Sequence, residues 1–213
     1  MKYKHLLNWI EKTSLYKSAK YRKARSRVDV ISPLVPLSTQ LLLDFGCGNM
    51  YVDKLLSQLY PKLQIVGLDI IKHHDMDNSG FPNLTFQLYD GHRIPFPDNH
   101  FDCSLAAAAL HHTDDPEKYL RDLVRVTKNC NNIIILEATY TTFLGWLFLE
   151  FNDRIRNYFV KPELKGPLNF LSEDQWNRLF HDMFLQVKEV KKVRPFSILT
   201  KQTLFSLFKH ETG

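Results

Sequence analysis

Short apolar runs alternate with helical patterns through the middle of the chain. The apolar runs cover residues 41–45, 65–69, 84–89, 101–106 and 133–137. A helix is predicted over 114–128, with Asp115 in the N-cap position and Pro116 at the first helical position. Apolar strands interleaved with helices are typical of a parallel sheet covered on both faces. The pattern therefore predicts an α/β fold built on a Rossmann-like sheet.

The first part of the chain is helical in pattern and strongly basic. Apolar spacing predicts helix over 5–35, and we expect residues 1–36 to form a helical arm or cap on a main domain of residues 37–213. Residues 1–27 hold nine Lys or Arg against one acid, although the whole chain carries only +5. Such an arm suits an anionic membrane surface, an acidic partner or nucleic acid. We favour a solvated helix face beside a ligand entrance, and consider nucleic acid unlikely, because no basic stripe interleaved with aromatic residues continues elsewhere.

The last third of the chain changes pattern. An aromatic helical stretch after the fifth apolar run predicts an insertion of about 138–172 on the substrate side. Ser172 and Gln175 fit a capping box that opens another helix. Two strands, around 184–193 and 199–208, are predicted to close the fold.

The composition is that of a globular protein. The 213 residues are 44% hydrophobic and 13% aromatic, which excludes disorder, collagen and coiled coil. Three cysteines, Cys47, Cys103 and Cys130, form no C-x-x-C pair, so neither a disulfide scaffold nor a metal site is predicted. We see no export signal, and the most apolar stretch, 143–151, is too short to span a bilayer. We therefore expect a cytoplasmic protein without a transmembrane segment.

Acidic residues and glycines stand at the ends of the first three apolar runs. Asp44, Gly46 and Gly48 form a strand-to-helix glycine turn, which lets backbone approach a ligand closely. Asp69 ends the second run, where a carboxylate can accept hydrogen bonds from both hydroxyls of a ribose. At the end of the third run, Asp90 can accept a bond from an exocyclic amine. Gly91 permits close packing against a base there, and Ile70 covers one face of it. Together these strand ends predict a nucleoside pocket.

Four segments in this order resemble the class I S-adenosylmethionine-dependent methyltransferases, in the branch that modifies small molecules. The segments are LLLDFGCGN, VGLDI, YDGHRIPFPDNHFD and ALHHTDDPEKYLRDLVRV. The resemblance implies a seven-stranded sheet with an antiparallel last strand, and S-adenosyl-L-methionine as cofactor. By the same resemblance, Asp69 holds the ribose and the adenine lies beside the third strand end. The methionine half is then lined by Asp44, Gly46, Cys47, Gly48 and Ala107.

The chain departs from the family pattern at several positions. Met50 replaces the usual third glycine and is expected to crowd the helix entrance. Asn131-Asn132 replaces a frequent Gly-Gly before the fifth strand, where we expect only an altered turn. The alanine run 106–110 lacks a polar side chain that commonly contacts the methionine end of the cofactor. We expect either looser binding or a substitute contact from Tyr21, Arg22 or Arg25.

The acceptor side is less defined by the sequence. His111 and His112 are the candidates for a general base, although either ring can instead cap a loop or pack. Aromatic residues after the fifth strand predict an acceptor pocket; they are Tyr140, Phe143, Trp146, Phe148 and Trp176. The apolar helix around 143–151 is interpreted first as core. A lid over an apolar substrate, or peripheral contact with a membrane, is the alternative.

These observations together predict a methyltransferase acting on a small, largely apolar or aromatic metabolite. Oxygen is slightly favoured over carbon as the acceptor because of the histidine pair. The alternative is a protein that binds the cofactor without transferring methyl, such as a cyclase-like enzyme or an accessory subunit. An RNA methyltransferase is the weakest hypothesis, since no NPPY-type motif is present. The sequence does not predict the oligomeric state.

Overall fold

The computed structural model describes residues 14–73, 76–160, 168–193 and 201–209. Within these ranges the helices are α1 (Ser14–Ile31), α2 (Tyr51–Leu59), α3 (Pro116–Val126), α4 (Phe143–Val160) and α5 (Glu173–Asp182). The strands are β1 (Leu41–Phe45), β2 (Gln64–Asp69), β3 (Leu84–Leu88), β4 (Phe101–Ala107), β5 (Thr127–Ala138), β6 (Leu185–Val193) and β7 (Gln202–Lys209). Short 3₁₀ turns span Ser32–Leu34 and Leu110–His112.

The strands form one seven-stranded sheet in the order β3-β2-β1-β4-β5-β7-β6. The strands β1 to β5 pair in parallel, while β7 runs antiparallel to both β5 and β6. This confirms the predicted fold class and the antiparallel last strand. Because the carboxyl ends of the parallel strands meet at one edge, the residues that follow them converge there.

Apolar side chains cover both faces of the sheet because they alternate along each strand. In β1, Leu42 packs on the face covered by α1 and α2, whereas Leu43 and Phe45 pack on the face covered by α3 and α5. The same alternation occurs in β5, where Ile134 and Leu136 point to the first face. Two helical layers therefore enclose the sheet and hold its carboxyl edge in place.

The strand β5 starts earlier than predicted, so α3 ends at Val126 rather than at residue 128. Thr127 opens the strand, where its hydroxyl bonds to the carbonyl of Leu123 at 2.6 Å. Asn131 and Asn132 lie inside the strand rather than in a turn, which corrects the sequence prediction. Its first half is polar, and the apolar run that revealed the strand begins only at Ile133.

The predicted helix caps are confirmed. Asp115 accepts the backbone N–H of Lys118, with Pro116 as the first residue of α3. Ser172 and Gln175 form the capping box that opens α5. The predicted helix over 5–13 and part of the predicted insertion, 161–167, lie outside the described residues.

No helix in the described ranges is both long enough and apolar enough to cross a membrane.

Candidate active site

The glycine turn after β1 is tightly packed on one side and open on the other. Gly46 has φ +70°, and a Cβ there would lie 2.4 Å from the Cβ of Ala109, so only glycine fits. Gly48 has φ +58°, and a Cβ there would meet no atom within 4 Å. The backbone N–H groups of Gly46 and Cys47 both donate to the carbonyl of Leu68, at 2.8 and 3.2 Å. The turn is thus fixed against β2 and β4 and leaves space beside Gly48.

Asp69 links the end of β2 to this turn. One carboxylate oxygen accepts the Gly48 N–H at 2.8 Å, and the other accepts the Ile71 N–H at 3.1 Å. A carboxylate has about four acceptor positions, so it retains capacity for two further donors. Asp69 is half-buried at the end of β2, and its role as the ribose ligand stays a prediction.

Met50 adopts the conformation of the glycine it replaces, with φ 59° at the N-cap of α2. Its side chain is fully buried and lies beneath the turn. A Cβ on Gly67 of β2 would come within 2.8 Å of Met50 Cε and 2.9 Å of Cys47 Sγ. The expected crowding of the helix entrance is therefore wrong, because the absence of a side chain at Gly67 makes room for Met50 in the core.

The end of β3 places the predicted adenine residues together on the surface. Gly91 has φ +79°, and a Cβ there would lie 3.2 Å from Cγ2 of Ile70. Ile70 is exposed, as is Asp90, whose carboxylate accepts the His92 N–H at 2.9 Å. Asp90 thus forms a local turn, and its remaining oxygen capacity faces solvent beside Ile70 and Gly91.

Asp44 is buried within β1, close to Asp53 in the first turn of α2. Burial raises the pKa of Asp44 well above its usual range, the charge of Asp53 raises it further, and Arg27 opposes the shift. Burial also raises the pKa of Asp53 to about 7. The two acids therefore form a buried pair beneath the glycine turn. Asp53 carried no signal in the sequence beyond an acid in the first turn of a helix.

Arg27 of α1 reaches the carboxyl end of β4. Its Nη1 donates to the carbonyl of Ala107 at 3.4 Å, so Ala107 does lie at the edge where the cofactor residues meet. Among the three residues expected to supply a substitute contact, Arg25 pairs with Asp29 on the same helix at 3.1 Å, and Tyr21 is exposed. The arm thus approaches the site, but through a residue that the sequence analysis did not select.

His111 lies between two buried carboxylates. Its Nδ1 is 2.5 Å from Oε2 of Glu137 at the end of β5, and its Nε2 is 3.3 Å from Oδ2 of Asp153 on α4. Burial alone would lower the pKa of His111, but the two carboxylates raise it to about 9. Both ring nitrogens of His111 therefore face a carboxylate oxygen. The role of His111 as a general base stays a prediction.

Glu137 also fixes the backbone that carries the histidines. Its Oε1 accepts the N–H groups of Ala109 and Leu110, at 2.9 and 2.8 Å. Burial would raise its pKa, but the His111 charge and these hydrogen bonds hold the pKa below its usual value. In the sequence, Glu137 is the last residue of the apolar run 133–137. A charged residue ending a fully buried strand is a signal of a buried partner.

His112 and the chain before α5 complete this cluster. Nε2 of His112 is 3.5 Å from Asp153 Oδ2, and the His112 side chain is 27% exposed. On the far side, the Phe170 ring stacks on His111 with ring centroids 4.6 Å apart. The Asn169 N–H donates to the His111 carbonyl at 2.8 Å. The cluster is therefore enclosed except on the side of His112.

The helix α4 has two different faces. Leu149 and Asp153 are buried, and Asp153 faces the histidine turn. Exposed apolar side chains form a stripe on the opposite face, and these are Phe143, Leu144, Leu147, Phe151 and Ile155. The interpretation of this helix as core is thus only half right, since one face packs and the other is apolar and exposed.

The predicted acceptor aromatics fall into two groups. Phe143 and Trp146 stack on α4 with centroids 5.6 Å apart, and the Tyr140 hydroxyl donates to Gln175 Oε1 at 2.9 Å. Trp176 is 1% exposed and packs with Phe180 and Phe205 on the sheet. Its predicted role in the acceptor pocket is therefore wrong, because α5 uses its aromatic face to cover the sheet.

Comparison with known proteins identifies the family. A family described as "Methyltransferase domain" matches residues 43–135. A demethylmenaquinone methyltransferase of Thermotoga maritima is 30% identical over 192 residues, covering 85% of this chain and 80% of the relative. The chain belongs to the class I S-adenosylmethionine-dependent methyltransferases. A ubiquinone/menaquinone biosynthesis C-methyltransferase of Pseudomonas fluorescens is 38% identical over 111 residues, or 47% of this chain and 43% of that relative.

Solved structures share the fold of this methyltransferase. YcgJ of Bacillus subtilis superposes with a TM-score of 0.68 at 18% identity, covering 88% of this chain and 99% of the other. The [4+2]-cyclase SpnF has a TM-score of 0.68 at 15% identity, covering 88% and 81% of the two chains. At such identities the likeness is one of fold. S-Adenosylmethionine is the family's cofactor and the methyl donor for this enzyme.

Proposed function

We propose that this methyltransferase alkylates a ring carbon of a small, apolar acceptor of the phenol or quinol type. The single observation that carries the site assignment is the bond between Asp69 and Gly48, which joins the ends of β1 and β2 around an open space. The choice of carbon and of a quinol-like ring is supported by the names of the two relatives, one of them a C-methyltransferase.

The arrangement of the histidines on the acceptor side also supports a carbon acceptor. The sequence favours oxygen because of its histidine pair, but in the structure His111 is engaged by Glu137 and Asp153. Among the two, His112 alone keeps a partly exposed ring. An electron-rich ring needs less help from a general base. Its carbon attacks the methyl group, and the electrons of the C–S bond pass to sulfur. The alkylated ring carbon then releases its proton to solvent water, and the ring regains aromaticity.

For the donor, we propose that Asp69 binds the ribose hydroxyls and that Asp90, Gly91 and Ile70 surround the adenine. The methionine half then lies against the glycine turn, over Gly46, Cys47 and Gly48, with Asp44 buried below and Ala107 at its far end. Arg27 already reaches the Ala107 carbonyl, so its guanidinium is placed to pair with the carboxylate of the methionine half. Methyl transfer itself needs alignment and exclusion of water more than a dedicated catalytic group.

For the acceptor, we propose that Tyr140, Phe143 and Trp146 line the approach to the methyl group. The exposed apolar face of α4 supports an acceptor that is itself apolar, since contiguous exposed apolar surface commonly marks a site of interaction. The same face of α4 also suits contact with a membrane surface that holds such an acceptor.

The test uses S-adenosylmethionine with a deuterated methyl group and a panel of demethylated quinols, catechols and simple phenols. Tandem mass spectrometry locates the label, and ether cleavage separates O-methyl from C-methyl products. We expect label on a ring carbon. Label on oxygen would overturn the choice of acceptor. The control is Asp69→Ala, which should not bind the cofactor and should give no labelled product.

A second candidate is a cofactor-binding enzyme that does not transfer methyl, because the fold is shared with a [4+2]-cyclase. The same experiment distinguishes it. If the cofactor is bound and the acceptor is converted into a product that carries no deuterium, this candidate is favoured over methyl transfer.

A further inference from the structure

Three metal-ligating side chains meet beside the candidate acceptor pocket. They are His111 and His112 on the turn after β4, and Asp153 on the inner face of α4. One ligand atom from each lies within 4.8 Å of the other two. Imidazole nitrogen and carboxylate oxygen together form the donor set typical of zinc and neighbouring divalent ions.

Two distances within the cluster fit a coordination shell. Asp153 Oδ2 lies 3.3 Å from Nε2 of His111 and 3.5 Å from Nε2 of His112. In a tetrahedral site with metal–ligand bonds of about 2.0–2.1 Å, neighbouring ligand atoms are separated by about 3.3 Å. An ion can therefore enter between these atoms with only small side-chain movement, and on binding it displaces the proton from Nε2 of His111 to solvent.

Glu137 supplies the support that metal-binding histidines usually have. Its carboxylate holds Nδ1 of His111 at 2.5 Å, while its other oxygen is fixed by two backbone N–H groups. A carboxylate on the far ring nitrogen sets the tautomer and the orientation of a ligating histidine. Phe170 stacks on the same ring, so Nε2 is held pointing toward Asp153.

We propose that His111, His112 and Asp153 bind one divalent metal ion of the zinc type. Three protein ligands leave a fourth position, which opens on the partly exposed side of His112, as in catalytic rather than structural sites. An acceptor hydroxyl or carbonyl oxygen can occupy this position. That second role rests on the proposed function, whereas binding of the ion does not.

The test measures metal binding without cofactor or acceptor. Protein treated with a chelator and dialysed is titrated with Co²⁺, and the visible absorption of the bound ion is followed before Zn²⁺ is added in competition. We expect one Co²⁺ per chain, displaced by one Zn²⁺. Because the assay uses neither methyl donor nor acceptor, its failure leaves the proposed methyl transfer untouched.

Substitutions identify the ligands. His112→Ala, at a partly exposed position, and Asp153→Asn should each abolish stoichiometric binding. Glu137→Gln should weaken binding by about 10–100-fold, as loss of an orienting carboxylate does elsewhere. The matched control is His181→Ala, which removes an exposed histidine 3.3 Å from Asp182 and should change nothing. Circular dichroism confirms that each variant is folded.

Two results would overturn the proposal. One is the absence of stoichiometric binding to the wild-type protein, which would leave the cluster as an ion-pair network. The other is binding that persists unchanged in both His112→Ala and Asp153→Asn, which would place the ion on other histidines.

Discussion

The two halves of the carboxyl edge are built in different ways. On the cofactor half, Asp69 and Asp90 bond to backbone N–H groups within the turns that follow β1, β2 and β3. On the acceptor half, Glu137, His111 and Asp153 bond to one another as side chains from three separate elements. The first half is set by backbone conformation and the second by a buried polar network. Side-chain changes should therefore affect ligand binding on the first half and folding on the second.

The largest effect is expected at the centre of the acceptor half. Glu137→Ala removes the partner of His111 and of two backbone N–H groups, which leaves buried polar groups unpaired. We expect the free energy of unfolding to fall by about 3–5 kcal/mol, the usual cost of breaking a buried pair. Urea unfolding measures the change.

The control for Glu137 is Glu117→Ala, which removes an exposed partner of Arg121. It should change stability by less than about 0.5 kcal/mol. A similarly small change in Glu137→Ala would contradict the idea that side chains hold this half together.

The cofactor half should respond in the opposite way. Asp69→Ala should lower the free energy of unfolding by less than Glu137→Ala does, because the two N–H groups that it leaves unpaired are only partly buried. It should raise the Kd for S-adenosylhomocysteine by about 100-fold or more, since each hydrogen bond to a charged group contributes about 1.5–3 kcal/mol. Isothermal titration calorimetry gives the Kd. Asp77→Ala is the control, because Asp77 forms a similar turn with Ser79 away from the strand ends. Equal affinity in both variants would remove Asp69 from the ribose site.

One part of the cofactor half does depend on side-chain packing. Gly67→Ala places a methyl group against Met50 Cε and Cys47 Sγ, and should lower stability by about 1–3 kcal/mol through overpacking. Met50→Ala creates space at the same point. The double variant should therefore be more stable than the sum of the two single changes predicts. Simple additivity in unfolding experiments would show that Met50 does not occupy the space over Gly67.

The buried acids beneath the glycine turn predict a dependence on pH. Burial raises the pKa of Asp53 to about 7, so the folded state keeps a proton that the unfolded state loses near its ordinary pKa. The stability from this group is complete below about pH 4 and is lost as pH rises through about 7. Asp44 faces Asp53, and Lys54 is close by.

Asp53→Asn isolates this contribution from those of other groups. The loss of stability between pH 5 and pH 8 should be smaller in the variant than in the wild-type protein. Unfolding curves at the two pH values measure the difference. An identical change in both proteins would mean that Asp53 is already ionised in the folded state.

The smallest effect on folding is expected on the outer face of α4. Leu147→Ser and Phe151→Ser replace exposed residues, so stability should change by less than about 0.5 kcal/mol. The KM for an acceptor dissolved in lipid vesicles should rise, while the KM for a short, water-soluble analogue should not. A parallel rise for both acceptors would assign the residues to the pocket itself.

The sequence predicted most of what local patterns determine. The positions of the strands β1 to β4, the glycine turn, the cap at Asp115 and the capping box at Ser172 follow from residues close together in the chain. The polar first half of β5 was not predicted as strand, because hydrophobic periodicity shows only the buried part of a strand. Met50 was misjudged since the space that accepts it is created by Gly67, a residue on another strand.

Contacts between distant elements account for the other errors. The position of Asp153 beside His111 depends on how α4 packs over the sheet edge, which no local pattern reveals. Trp176 was assigned to the pocket because an aromatic helix face looks the same whether it meets a ligand or a sheet. Arg27 was passed over because several basic residues in α1 carry equivalent signals.

A crystal structure of the protein with S-adenosylhomocysteine would test the central claim most directly. The account predicts both ribose hydroxyls within hydrogen-bond distance of Asp69, and the adenine ring between Ile70 and the turn at Asp90 and Gly91. A nucleoside bound away from these strand ends, or one whose ribose makes no contact with Asp69, would contradict it.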